Sequence, residues 1–360
     1  MKCSINILII ITATSVFVGC NKDSVVGPIN PTAVDTTSHE FTWTKLLLGD
    51  GAGSSLYDVA IINDSLAYAV GEIYFIDGAG KWNPLPCNLA KWNGTKWEPS
   101  RITIESKYGQ VTSPFYGICT IASNDLWLCS GLPIHGDGNN WTQYDLYDMG
   151  LLDQNDGYLT KIWAHASNDV YFVGTKGAIV HYKNGTWTKI NSGTSLSIND
   201  IYGSFNSFTQ QWEILAVAGD VGSSFDRKIL QIVGTQAIAL SDSSINSTLS
   251  SVWFVAGQHY YVIGDGIYDK GGLSDYKWNV HLGDITTYYT TRVRGQAISD
   301  VFMTGAYGEV LHYNGLTWRS YQASTGLAAG SYSSLALKGD LLIAVGHESG
   351  QAAILIGRRK

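Results

Sequence analysis

Charge is scarce in this sequence. Asp, Glu, Lys and Arg make up 15% of the 360 residues, where about a quarter is usual. Arginine is scarcer still, at seven. No run of like charge forms a tail, and the net charge of −7 leaves no basic stripe to release counterions from a phosphate backbone. Nucleic acid is therefore not an expected partner. Catalytic signatures are missing as well, with no GxSxG, HExxH or P-loop pattern. No CxxC or Cys/His spacing marks a metal site. The stretch "DQNDG" (Asp153–Gly157) has its Gly one position too early for a calcium loop, and no closing Glu follows. No cofactor is expected. What the chain has in quantity is Gly (40), Tyr (21) and Trp (12). Few charges with many aromatics and glycines suit an all-β protein rich in tight turns.

The first residues read as a processing signal. Lys2 gives a thin positive start, and Ile5 to Val18 is apolar but too short for a membrane span. The run ends in "FVGC" (Phe17–Cys20), which resembles a lipobox, with Phe17 in place of the usual Leu. That resemblance implies a signal peptide over 1–19 and lipid on Cys20, enough acyl chain for stable anchoring. Residues 20–39 then form the lipidated Cys and a flexible tether without periodicity. The "CNKD" start is similar to the surface-export signals of Bacteroidota lipoproteins, although only one acid follows Lys22. The expected location is the bacterial cell envelope, lipid-anchored in the outer membrane. Cys87, Cys119 and Cys129 remain in an oxidising compartment. Cys119 and Cys129 are symmetric about Asn124, so one hairpin would set them face to face, as a disulfide or as two buried thiols.

The remainder, 40–360, repeats itself. The clearest unit is "LTKIWAHASNDVYFVGTKGAIVHYKNGTWTKINSG" (Leu159–Gly193), whose four strands "LTKIWA", "VYFVG", "AIVHY" and "TWTKI" come with "SND" and "NG" turns. Related units begin near 56, 116, 197, 249, 290 and 332. Spacings of this size, four strands to a unit, predict a seven-bladed β-propeller of four-stranded antiparallel blades. The seventh unit stops after three strands, at "AAILIGRRK", whereas "FTWTKLLL" (Phe41–Leu48) near the start is an unclaimed fourth strand. The N-terminal strand is expected to close the last blade and remove its open edge. These units resemble bacterial seven-bladed propellers with degenerate Asp-box-like repeats; "HGDGNNW" (His135–Trp141) comes nearest to the family's turn, and "NGTKW", "NGTW" and "NGLTW" lack its Asp. The resemblance implies a fold and no particular activity.

Residues that recur once per blade are read as packing. These are the fourth-strand Trp43, Trp97, Trp141, Trp187, Trp278 and Trp318, the third-strand His135, His181 and His312, and the turn-forming Asp125, Asp169 and Asp300. Function is sought where blades depart from the repeat. Loops joining successive blades, and those between second and third strands, share one face of a propeller. The long ones here are Glu72–Asn88, Glu98–Pro114, Tyr144–Tyr158 and Gly283–Tyr289. The expected ligand-binding residues on that face are Tyr74, Asp77, Trp82, Tyr144, Tyr147, Asp148, Tyr288, Tyr289 and Arg292. Aromatics beside carboxylates suit a protein or glycan ligand. The first strands offer almost no carboxylates, so the expected function is a monomeric, non-catalytic binding or assembly scaffold. A glycan-active enzyme on the same scaffold is the alternative.

Overall fold

Strands such as "DVYFVG" (Asp169–Gly174) and "DVFMTG" (Asp300–Gly305) are buried at every position. A strand with no wet face needs cover on both sides. The computed structural model, which describes residues 36–360 except Ala52, Tyr108 and 221–225, shows what supplies it. Seven four-stranded antiparallel sheets follow one another around an axis, and each second strand lies between the sheets on either side. The unit spans Asp35–Lys360. The expected signal peptide, Cys20 and the tether as far as residue 35 lie outside the described residues.

The first strand of each blade is innermost. These strands are Ser55–Asn63, Gly117–Ala122, Leu159–Ala166, Ile198–Asn206, Leu249–Val255, Thr290–Ala297 and Gly330–Lys338. Each packs against the next around the ring, and the last against the first. They begin where the repeats were expected to begin. In six blades the fourth strand is short, three or four residues, and faces outwards, which keeps the blade edges small.

The last blade is closed as the sequence predicts. Phe41–Leu48 pairs antiparallel with Gln351–Arg359, from Phe41 opposite Arg359 to Leu48 opposite Ala352. Trp43 lies on Gly357, where a Cβ would sit 2.4 Å from the ring. Arg359 also reaches Asp300 of the preceding blade at 2.6 Å, so the C-terminal strand is tied sideways as well.

The repeat-equivalent residues pack as expected. Trp97 and Trp278 are buried, while Trp127 of blade two meets Trp187 of blade three, and Tyr261 of blade five meets Trp318 of blade six. Asp125, Asp169 and Asp300 have a further task. Each carboxylate holds the third-strand histidine of its own blade, at 2.8, 2.6 and 3.0 Å to His135, His181 and His312. Each of those imidazoles stacks on a second-strand ring, Trp127, Tyr171 or Phe302.

One expectation of the register is corrected. The turn closes Ala122 on Asp125, and a bulge at Ile121 shifts the pairing. Cys119 therefore opposes Trp127, and Cys129 opposes Gly117. Cys119 and Cys129 are free thiols, as is Cys87.

Removing residues 40–48 would leave Gln351–Arg359 as an open nine-residue edge. Thermal denaturation of that truncation is expected to be broad and aggregation-prone. A transition as sharp and as high as the parent's would contradict closure by this strand.

Candidate functional site

The innermost strands share a defect that builds the axis. In six blades a bulge near the start shifts the register, between Leu56 and Asp58, Leu159 and Lys161, Ile198 and Asp200, Leu249 and Ser251, Thr290 and Arg292, and Tyr332 and Ser334. A bulge re-aims the side chain that follows it. The re-aimed position reads Asp58, Gly117, Lys161, Asp200, Ser251, Arg292 and Ser334 around the ring. This is a column of mostly polar side chains at one level of the ring.

These side chains bond across the channel. Arg292, 2% exposed, pairs with Asp200, lies 3.4 Å from Asp58 and donates from Nε to Ser334 at 3.2 Å. Ser334 donates to Asp58 at 2.6 Å, and Asp58 accepts the Ile118 amide of blade two. Arg294 binds Asp200 end-on, at 2.8 and 2.9 Å. Asp200 also accepts the Val252 amide and the Ser251 hydroxyl, while Ser251 accepts the Val293 amide at 3.1 Å. Lys161 completes the set by donating to the carbonyls of Tyr57 and Tyr116, both at 3.3 Å. All seven blades are thus linked through one network. Gly117 keeps the column's empty place because a Cβ there would meet Thr160 O at 2.8 Å.

The electrostatics follow from this geometry. Asp200 is desolvated, which alone would raise its pKa, but Arg292 and Arg294 outweigh burial and hold it well below the usual carboxylate range. The Lys161 amine goes the other way. Burial first, and Arg292 second, push it down to about 8.

Arg292 was expected on the loop face. It lies instead on the innermost strand Thr290–Ala297, where the bulge between Thr290 and Arg292 turns its side chain into the axial network. The other expected residues fall into separate groups. Tyr74 donates to Glu72 at 2.8 Å, and Tyr57 donates to the second oxygen of the same carboxylate. Tyr116 lies 5.4 Å from the Tyr57 ring, so three tyrosines surround one glutamate beside the channel mouth. Desolvation, then the bond to Glu72, push Tyr74 up to about 12.

Asp77 caps its own turn, accepting the amides of Ala79 and Lys81. Trp82 is 45% exposed and bridges back to Ile76. Tyr147 lines a 290 Å³ cleft between Tyr144–Tyr158 and the hairpin Ile104–Val111. Lys107 straps that hairpin down by pairing with Asp145 at 3.3 Å and with Asp148. Tyr144 turns inwards and packs on Trp127, Tyr182 and Trp187. Tyr288 meets Tyr307 at 5.7 Å, and Tyr289 is half-buried beside it in sequence.

No protein-family model matches the chain, and no curated protein matches it. Solved structures do. YCF48 bound to D1 peptide is similar at 15% identity and a TM-score of 0.64, over 91% of this chain and 100% of that one. YCF48 from Cyanidioschyzon merolae is similar at 15% identity and a TM-score of 0.60, over 87% and 98%. The WD40 propeller domain of Doa1 is similar at 12% identity and a TM-score of 0.59, over 90% and 98%. What they share with this chain is the fold.

Among the described residues no group of three or more His, Cys, Asp or Glu is placed to hold a metal ion. The axial carboxylates are engaged by arginines. What the arrangement offers is a tied inner ring, with exposed aromatic and apolar side chains on the loops of one face.

Replacing Asp200 with Asn removes the counter-charge of two buried guanidinium groups. The expected loss is about 3–5 kcal/mol at pH 7. Because the folded-state pKa of Asp200 is lowered, its contribution is present above the ordinary value of 3.8 and fades as pH falls towards the folded value. The gap between parent and Asp200→Asn in urea titrations should therefore narrow progressively as pH falls below about 4. A gap that is absent at pH 7, or that widens in acid, would contradict the axial pairing.

Proposed function

We propose that this protein is a non-catalytic scaffold that binds a protein partner on its loop face while tethered to a cell envelope through Cys20. The observation that carries the reading is a set of exposed apolar side chains on the inserted loops. Ile76, Trp82, Leu85, Met149, Tyr158, Leu282 and Tyr307 are exposed on the loops of one face, Tyr158 to 66%. Loops of this kind lie outside the repeat that folding needs. Exposed apolar groups set among polar ones mark interaction sites. Rigid aromatics offer large contact area at low entropic cost. The neighbours support the reading as analogues, since YCF48 is a propeller solved with the D1 peptide bound. The tether rests on "FVGC" and on the aperiodic residues that follow it.

The opposite face provides a control. Phe205, Phe208 and Trp212 are exposed around the tip of one blade-four hairpin, far along the strands from the inserts. Pull-down from native envelopes is the test. Trp82→Ala with Tyr158→Ala is expected to lower partner recovery at least tenfold with melting temperature unchanged, while Phe208→Ser leaves recovery intact. Equal recovery by the loop-face double variant, or loss only in Phe208→Ser, would move the site off this face. Capture of a glycan alone would replace the protein partner. Cys20→Ala should in parallel abolish lipid labelling and membrane retention; a variant that stays anchored would refute the tether.

A further inference from the structure

The axial charges do not balance. Two carboxylates, Asp58 and Asp200, face three cations, Lys161, Arg292 and Arg294. The chain as a whole carries −7, so a local surplus of positive charge runs against its overall character. Buried charge without a partner is costly. On the hairpin-turn side of the network the channel opens into a funnel of about 260 Å³, the share of roughly eight or nine waters. Val59, Ile118, Ile162, Ile201 and Leu335 give it an aliphatic side beside the polar Asp58 and Thr120, and six of the seven blades contribute to it.

Arg294 lines the same funnel, its side chain 21% exposed. Asp200 occupies the end-on fork of its guanidinium, and Nη1 also donates to the carbonyls of Val252 and Val293. Among the described residues Arg294 donates from Nη1 and, through Nη2, to Asp200 alone, so the Nε hydrogen and the second Nη2 hydrogen make no hydrogen bond there. Those two hydrogens form the side-on fork of the guanidinium, a geometry that matches one carboxylate. The Tyr202 ring, 5.4 Å from the guanidinium carbon, holds the group in place.

We propose that the funnel is a binding site for a small organic monocarboxylate with an apolar body. The carboxylate takes the side-on fork of Arg294 and supplies the missing negative charge. Its apolar body lies against the aliphatic wall, where each buried Å² contributes about 25 cal/mol. A neutral ligand leaves the fork unpaired. A dianion overshoots a surplus of one charge and is repelled by Asp58 and Asp200. The Cys119 thiol on the wall, pushed up to about 12 by burial, stays protonated and adds no competing charge. This site uses none of the loop-face residues, so either reading can fail without the other.

The test is calorimetric titration of the purified protein with benzoate, hexanoate and 3-phenylpropionate, each against its primary amide. At least one acid is expected to bind tenfold or more tightly than its amide and to raise the melting temperature saturably. Ala336→Phe fills the funnel beside the rim without touching the ion pairs and should abolish binding; Ala60→Leu serves if that variant misfolds. Arg294→Lys keeps the charge but loses the fork, and should weaken binding at least tenfold. Equal affinity for acid and amide, binding that survives Ala336→Phe, or no binding by any of the three acids at 50 mM would overturn the proposal.

Discussion

The carboxylate of Asp200 is the point on which the inner ring turns. It accepts two guanidinium groups, one hydroxyl and one main-chain amide, from blades five and six, while itself belonging to blade four. A carboxylate that is 1% exposed survives in a protein interior only when paired and hydrogen-bonded, and this one is. Arg292 carries the linkage onwards to Asp58 and Ser334, in blades one and seven. The seven sheets each bury their own apolar faces against neighbours, but that burial is non-directional. The axial bonds are directional, and they specify which strand ends meet.

Two regions are left free by this arrangement. The loop face is one, because the axial network lies near the starts of the innermost strands and asks nothing of the inserts beyond. The funnel is the other, because the network closes the channel below the loop face and leaves a blind pocket behind it. Closure by Phe41–Leu48 completes the ring at its rim, where a hydrogen-bonded outer strand replaces an open edge. Axis and rim thus hold the same structure by different means: charge at the centre, main-chain pairing and the Trp43 ring at the circumference.

The architecture was legible because it is written seven times. Blade starts, turn positions and the orphan strand at Phe41–Leu48 follow from patterns within forty or so residues of one another. What escaped the sequence depends on single-residue shifts. The turn that sets Ala122 opposite Asp125, together with one bulge at Ile121, separates Cys119 from the position opposite Cys129. One bulge, between Thr290 and Arg292, turns Arg292 into the axis. The axial network is harder still, since Arg292 finds its partners 92 and 234 residues away in the chain. A signal for it does exist. The seven first strands, aligned on their apolar run, read Tyr-Asp, Tyr-Gly, Thr-Lys, Asn-Asp, Ser-Ser, Thr-Arg and Ser-Ser just before it. Such a polar pair, in six of the seven blades, marks the channel, although nothing in it says which charges will face each other. Among the aromatic inserts, Tyr144 shows that an aromatic in a loop can serve its own core.

The central claim is that the seven innermost strands are locked together by the axial network and open only as one. Native-state hydrogen exchange reads this directly, because subglobal openings reveal themselves by a lower free energy. The amides of Ile118, Val252 and Val293, each bonded to an axial side chain of a neighbouring blade, are expected to exchange only through global unfolding, with a single free energy and a denaturant dependence equal to that of the whole molecule. Exchange of any of these three amides through a local opening, at a free energy well below the global value, would contradict the account.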